Sequence, residues 1–345
     1  MTELPGVSYV MPVLNEADYL EEAVGSILTQ DYDGDKELII ALGPSTDDTD
    51  EVAQRLAASD PRLILVDNPL GRTPIALNLA IRKSSHPIIM RVDAHSELPA
   101  NYTSRGVETL YRVGAHDVGG LMDARGKTPV QRAIAAAYHS KFGFGGPAYH
   151  SGAPEGEAES AYLGIFRREV FDEVGFYDEN MWRAQDWELC LRIRQAGHKV
   201  WFDPELKVGY YPRDNFVALA RQSFASGTWR GEIARRFPEG KSLRHDIPPL
   251  LLAGVGIGSV ALILAPLTRG RVSRPVQSLV NLAASAPMVY AAATVAAGLA
   301  SKGENLKEKL LTAAAFQSIH LPWAAGYLKG RIFGAAGTLD KGRVK

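Results

Sequence analysis

From Val7 to Val92 the chain writes strand, helix, strand, helix in short, regular steps. Val7 to Val13, Leu38 to Leu42, Leu63 to Val66 and Pro87 to Val92 are apolar runs of strand length. Ala17 to Leu28 and Thr73 to Lys83 carry helical spacing, the second with Pro74 in its first turn. Between them Ser45-Thr46-Asp47 supplies cap residues for a helix through Ala57. Nearly continuous apolar strands alternating with helices predict a mostly parallel sheet covered on both faces, an α/β architecture. In such a sheet ligands bind outside the carboxyl ends of the strands. The pattern resumes with a helix from Val130 to His139, a glycine-rich loop at 143–147 and a strand from Ala161 to Phe166. A helix from Asp186 to Gln195 follows and is ended by Gly197.

After Asp246 the text changes. Ile247 to Thr268, Pro275 to Ser301 and Leu310 to Leu328 contain no charged residue. Each approaches or exceeds the roughly 20 residues that cross a bilayer as a helix. The first two read as spans. The third, with Gln317 and His320, reads as weaker or interfacial, with Trp323 and Tyr327 as anchors. An Ala- and Leu-rich helical subdomain is the bland alternative, but soluble helices of that length show a charged face. The sequence therefore divides into residues 1–240, a catalytic-type α/β domain, and 241–345, hydrophobic membrane-associated helices with a basic tail.

Charge agrees with that division. From Ile247 onward there are eleven Lys or Arg against Glu304, Glu308 and Asp340, although the whole chain is at −1. A basic, apolar tail on an acidic body suggests contact with anionic membrane lipids, and the overall balance shows no nucleic-acid signature. The basic stretches beside all three segments fit no simple arrangement of three spans under the positive-inside tendency, so re-entrant or surface-lying helices stay open. Cys190 is the sole cysteine, so no intramolecular disulfide forms and a reducing compartment fits. A secretory h-region is not seen at the N-terminus. The expected location is the cytoplasmic membrane, with the catalytic domain facing the cytoplasm.

The residues that could carry chemistry sit where strands end. Arg91-Val92-Asp93-Ala94-His95 closes the fourth strand, and an Asp and a His two apart can share one divalent cation. A solvated turn would read the same way. Pro12-Val13-Leu14-Asn15-Glu16 closes the first strand; Glu16 can accept hydrogen bonds from a ribose or base, and Asn15 also suits a helix cap. In Gln185-Asp186-Trp187-Glu188-Leu189 a carboxylate over a cleft could take a proton from a hydroxyl. Equally, Asp186 could cap its helix and Glu188 pair with Arg192 four residues on. Arg221-Gln222 and Gly227-Thr228-Trp229-Arg230 offer cations for a pyrophosphate and an indole for a sugar face or lipid interface.

In order along the chain, these clusters resemble inverting family-2 glycosyltransferases of the GT-A fold, in particular the membrane-associated succinoglycan-biosynthesis glucosyltransferase group. The stretches that carry the likeness are Met11 to Glu16, Ser45-Thr46-Asp47, Asn68-Pro69 with Gly71-Arg72-Thr73-Pro74, Leu77-Asn78, Arg91 to Ser96, Gly164 to Glu169, and Gln185 to Leu189. They cover about the first two-thirds of the chain. The resemblance implies a Rossmann-like sheet with a hydrophobic C-terminal region. It implies donor contacts from Pro12, Asn15, Glu16, Arg72, Asn78 and Asp93, and a Mg²⁺ or Mn²⁺ ion held by Asp93 and His95, the latter replacing the second Asp of an Asp-X-Asp element. Asp186 would be the general base. Glu188, Trp187, Gln222, Trp229 and Arg230 would lie on the acceptor and diphosphate side.

Departures matter too. Leu42 stands where relatives place a base-reading Asp, which leaves a uridine donor in doubt. Tyr210-Tyr211-Pro212-Arg213 stands where many supply a metal-binding His, and the Gln-X-X-Arg-Trp element of processive synthases is absent in its usual spacing. The function implied is transfer of one sugar from a nucleotide-diphosphate donor to a lipid-linked or envelope-glycan acceptor. A degenerate nucleotide-binding or scaffold protein of a membrane glycan-assembly complex, and transfer onto polyprenyl phosphate, are the alternatives.

Overall fold

A computed structural model describes residues 4–143, 148–238 and 245–338. The expected domain boundary after residue 240, residues 144–147 of the glycine-rich loop and the basic tail from residue 339 lie outside the described residues. In chain order the first elements are β1 (Val7–Val13), α1 (Leu20–Leu28), β2 (Lys36–Leu42), α2 (Thr49–Ser59), β3 (Leu63–Asp67), α3 (Thr73–Lys83), β4 (Ile88–Arg91), α4 (Tyr102–Arg112) and β5 (Asp117–Ala124). There follow α5 (Pro129–Tyr138), α6 (Ala148–Ser151), β6 (Gly156–Glu157), β7 (Ile165–Arg167), α7 (Glu169–Val174), α8 (Gln185–Gln195) and β8 (Val200–Tyr210). The last helices are α9 (Phe216–Arg236), α10 (Ile247–Thr268), α11 (Arg274–Leu299) and α12 (Leu306–Phe333). Of the described residues, 4–123 and 148–210 form one compact unit; 124–143, 211–238 and 245–338 form another.

The first unit is built on an eight-stranded sheet of order β3-β2-β1-β4-β7-β5-β8-β6. The expected parallel pairing holds over β3-β2-β1-β4. Beyond it β7 enters antiparallel to both β4 and β5, so the sheet is mixed. Two buried clusters cover its faces, one around Tyr9, Met11, Leu38 and Met90, the other around Ile39, Leu77, Ile89 and Ile193. Because both faces are covered, the strands read as apolar runs rather than alternating ones. Strand order reverses between β1 and β4, which makes the carboxyl ends of these two strands the topological switch point.

Pro12 shows how the switch point opens. Val10 accepts from Val92 N at 3.1 Å, so even-numbered residues of β1 point toward β4. Pro12 is next on that side, and pairing with β4 has already stopped at Val10 and Arg91. A proline has no N–H to leave unsatisfied there, so the strands can part at low cost.

The second unit is helical. α10 and α11 are long and apolar enough to cross a membrane, at about 33 and 39 Å against a hydrocarbon core of about 30 Å. Leu250, Ile263, Leu279 and Leu282 are each at least 66% exposed, so both helices turn large apolar side chains outward and fit a membrane region. The third uncharged segment has a different cause. α12 packs on α9 through Gly227 and Gly231 on one helix and Gly326 and Gly330 on the other. A Cβ on Gly330 would stand 1.8 Å from the Thr228 carbonyl, and one on Gly227 2.0 Å from that of Trp323. Here apolar, small-residue sequence serves helix contact inside the protein. Tyr327, read above as an interfacial anchor, is 2% exposed and stacked on Trp323.

Candidate active site

The ends of β1 and β4, with the loop after β3, enclose a cavity of about 190 Å³ in the first unit. Pro12, Glu16, Asn68, Gly71, Asp93 and His95 line it, and Arg91 forms part of its wall. Three of the sequence-expected donor residues and both expected metal ligands therefore meet in one place.

The loops there are laced together. Asn15, at φ +54°, takes the left-handed conformation that Asn tolerates. Its Oδ1 accepts from Thr46 N at 2.7 Å, and its own N–H donates to Ser45 Oγ. Glu16 N donates to Thr49 Oγ1, and Asp47 accepts from Ala17 N and from both Thr49 groups. The expected Asn15 cap does not form, because α1 starts at Leu20. Asn15 and the Ser-Thr-Asp element fix each other and thereby the position of Glu16.

Glu16 Oε1 lies 2.9 Å from His95 Nδ1. A carboxylate on one ring nitrogen sets the tautomer and leaves Nε2 as the nitrogen that can face a cation, the arrangement usual for metal-ligating histidines. Among the described residues no group of three or more His, Cys, Asp or Glu converges on one point. One carboxylate and one oriented imidazole would suit a divalent ion that takes its other ligands from diphosphate oxygens and water.

Arg91 was the residue that sequence reasoning passed over. It ends β4, is 7% exposed, and forks to two carboxylates: Nη2 meets Asp93 Oδ1 at 3.2 Å, and Nη1 binds Asp186 Oδ1. Asp186 comes from the first turn of α8, so the two acids found 93 residues apart in sequence are joined by one guanidinium. Burial works against the Arg91 charge, but Asp186 and Asp93 outweigh it and raise its pKa. Burial pushes the Asp186 carboxyl above the ordinary range; Arg91 opposes that shift and Asp93 adds to it. A raised carboxyl whose side chain is 34% exposed is suited to accept a proton from a substrate hydroxyl.

Other expected site residues have structural employment. Asn78 is 3% exposed and spends its amide on both Tyr177 backbone groups and Glu179. It latches the segment leading to α8 and does not line the cavity. Arg72 lies over the Trp182 ring at 4.4 Å. Glu188 pairs with Arg192 at 2.7 Å, as its spacing allowed, and is 4% exposed; Trp187 is also buried. Gln222, Trp229 and Arg230 belong to the second unit. There Gln222 accepts from Arg213, the 3%-exposed Trp229 donates to Thr338 O, and Arg230 bonds His245.

Comparison with known proteins points to one family and one fold. The profile of Glycosyl transferase family 2 matches residues 8–175. The chain is 33% identical over 322 residues to succinoglycan biosynthesis protein ExoA of Rhizobium meliloti (strain 1021), covering 92% of each protein. It is 21% identical over 239 residues to the dolichyl N-acetyl-alpha-D-glucosaminyl phosphate 3-beta-D-2,3-diacetamido-2,3-dideoxy-beta-D-glucuronosyltransferase of Methanococcus voltae, covering 67% of this chain and 74% of that one. The solved structure of mannosyltransferase PcManGT from Pyrobaculum calidifontis, in complex with GDP-Man and Mn2+, shares the fold. Its TM-score is 0.58 at 19% identity, over 96% of this chain and 88% of that one.

Proposed function

This chain belongs to glycosyltransferase family 2, and from that premise we propose that its site moves one sugar from a nucleoside-diphosphate donor to a hydroxyl of a lipid-linked or envelope-glycan acceptor, with inversion at the anomeric carbon. One observation carries the reading: Asp93, on the cavity, and Asp186, on α8, are held together by Arg91. A donor diphosphate seated at the ends of β1 and β4 would present its anomeric carbon toward the Asp186 side. Asp186 would take the acceptor's proton as the oxygen attacks from the face opposite the diphosphate.

Asp93 and His95 Nε2 would hold Mg²⁺ or Mn²⁺, which supplies charge neutralisation for the departing diphosphate when bound. Glu16 orients His95, in addition to any contact with the donor ribose. The Pyrobaculum neighbour's Mn2+ and GDP-Man support a metal-bound nucleotide sugar. The Rhizobium relative is named for succinoglycan biosynthesis, which supports a polysaccharide product, and the Methanococcus one as a transferase acting on a dolichyl-linked sugar phosphate, which supports an acceptor carried on lipid. Residues 1–240 would be the catalytic portion and 241–345 the membrane-associated one. The catalytic portion would face the cytoplasm.

The test is thermal unfolding of the purified protein in detergent with GDP, UDP and dTDP, each with and without Mn²⁺. At least one nucleotide is expected to raise the midpoint by several degrees in a Mn²⁺-dependent way. In His95→Ala the Mn²⁺ concentration giving half that effect should rise about tenfold or more. No shift with any nucleotide, together with no sugar release from the matching donors, would overturn the reading; an unchanged Mn²⁺ requirement would remove His95 as a ligand.

A further inference from the structure

We propose that Arg91 is the positioning residue of this site: its buried guanidinium fixes the Asp186 carboxylate relative to Asp93, so that proton acceptor and donor side form one rigid unit. The inference rests on the glycosyl-transfer reading above.

Arg91 is itself held at both ends. Its backbone pairs with Val10 of β1, and its N–H donates to Gly164 O at 3.0 Å. Gly164 has no room for a side chain, since a Cβ would come within 2.5 Å of Phe166 and Asp117. The backbone of Arg91 is therefore locked into the sheet. Its side chain then spends Nη1 and Nη2 on two different acids, while Nε is buried without a hydrogen-bond partner. An unsatisfied buried donor is costly, so this rotamer is maintained by the two ion pairs.

Asp186 has little else to hold it. It sits in the first turn of α8, behind Ala184, whose φ of +59° is unfavourable for a residue with a Cβ, and which gives the helix no side-chain cap. The Asp186 side chain is 34% exposed and, freed from Arg91, could turn into solvent. A planar fork can serve two carboxylates at once, whereas a lysine ammonium on a flexible stem addresses one point. A group that only bound phosphate would direct its N–H groups into the cavity; here they point to the two acids.

The experiment uses the full chain in detergent, with Arg91→Met and Arg91→Lys assayed on the donor identified by the nucleotide screen. Arg91→Met should lower kcat on the order of 100-fold while donor KM and nucleoside-diphosphate affinity stay within about threefold. Arg91→Lys should recover only part of kcat with the same unchanged KM, and it carries the test if Arg91→Met does not fold. In an Asp186→Asn background, Arg91→Lys should cause no further loss, because both changes act through one carboxylate. A raised donor KM with preserved kcat, wild-type kcat in Arg91→Lys, or losses that multiply in the double variant would overturn the inference. Wild-type turnover in Asp186→Asn alone would instead overturn the base assignment from which it starts.

Discussion

Asp186→Asn is expected to lower sugar transfer by roughly 10²–10⁴-fold while nucleoside-diphosphate binding changes little. The substitution is nearly isosteric, and the amide oxygen can still accept from Arg91, so the fork at the end of β4 survives. What is lost is the ability to take a proton. The cavity that would receive the nucleotide is made by the ends of β1 and β4 and the loop after β3, and Asp186 is not part of its lining. Binding and turnover should therefore separate. Transfer into a lipid-extractable acceptor gives turnover, and calorimetric titration with the nucleoside diphosphate and Mn²⁺ gives affinity. Retained turnover would remove Asp186 as the base. A loss of affinity as large as the loss of rate would move it into the donor site.

Asp117→Asn is expected to gain stability relative to wild type as pH rises. Asp117 begins β5, is fully buried, accepts from Cys190 Sγ at 3.2 Å through Oδ2 and leaves Oδ1 without a partner. Burial pushes its carboxyl up to about 8; the Cys190 hydrogen bond works against the shift and the Asp186 charge adds to it. In the unfolded chain the group titrates at about 4. Between those values the folded protein keeps a proton that the unfolded chain has released, so stability falls as pH rises, at about 1.4 kcal/mol per unit. Above the folded pKa the loss is complete. An amide mimics the protonated acid and removes the slope. The stability of Asp117→Asn relative to wild type should grow by roughly 3 kcal/mol from pH 5 to pH 8. Unfolding midpoints of the two proteins across that range measure it. Parallel pH profiles would mean that Asp117 is ionised in the folded state.

The parallel half of the sheet was legible because its strands are covered on both faces and say so in apolar runs. Thr73–Lys83 was legible to the residue because Pro74 marks its start. The long β8 was not read as a strand: Val200–Tyr210 includes Asp203, Pro204 and Glu205. Asp203 is buried only because Arg105 and Thr109, nearly a hundred residues earlier, satisfy it. Glu188 with Arg192 could be read from spacing because both lie on one helix. Arg91 with Asp186 could not, because nothing local distinguishes an arginine that ends a strand in solvent from one that ends it in the core between two acids. The partners of Asn78 were hidden for the same reason, since Tyr177 and Glu179 lie far along the chain. The uncharged stretch inside α12 shows the limit of hydropathy, since close helix packing through glycine and entry into lipid both exclude charge.

The anomeric configuration of the transferred sugar tests the central claim most directly. If Asp186 activates a hydroxyl on the side of the sugar away from the diphosphate, a single displacement must invert that carbon. Proton NMR of the released or acceptor-bound sugar, taken before mutarotation, should show the configuration opposite to the donor's. A product that keeps the donor's configuration would contradict a one-step transfer with Asp186 as base.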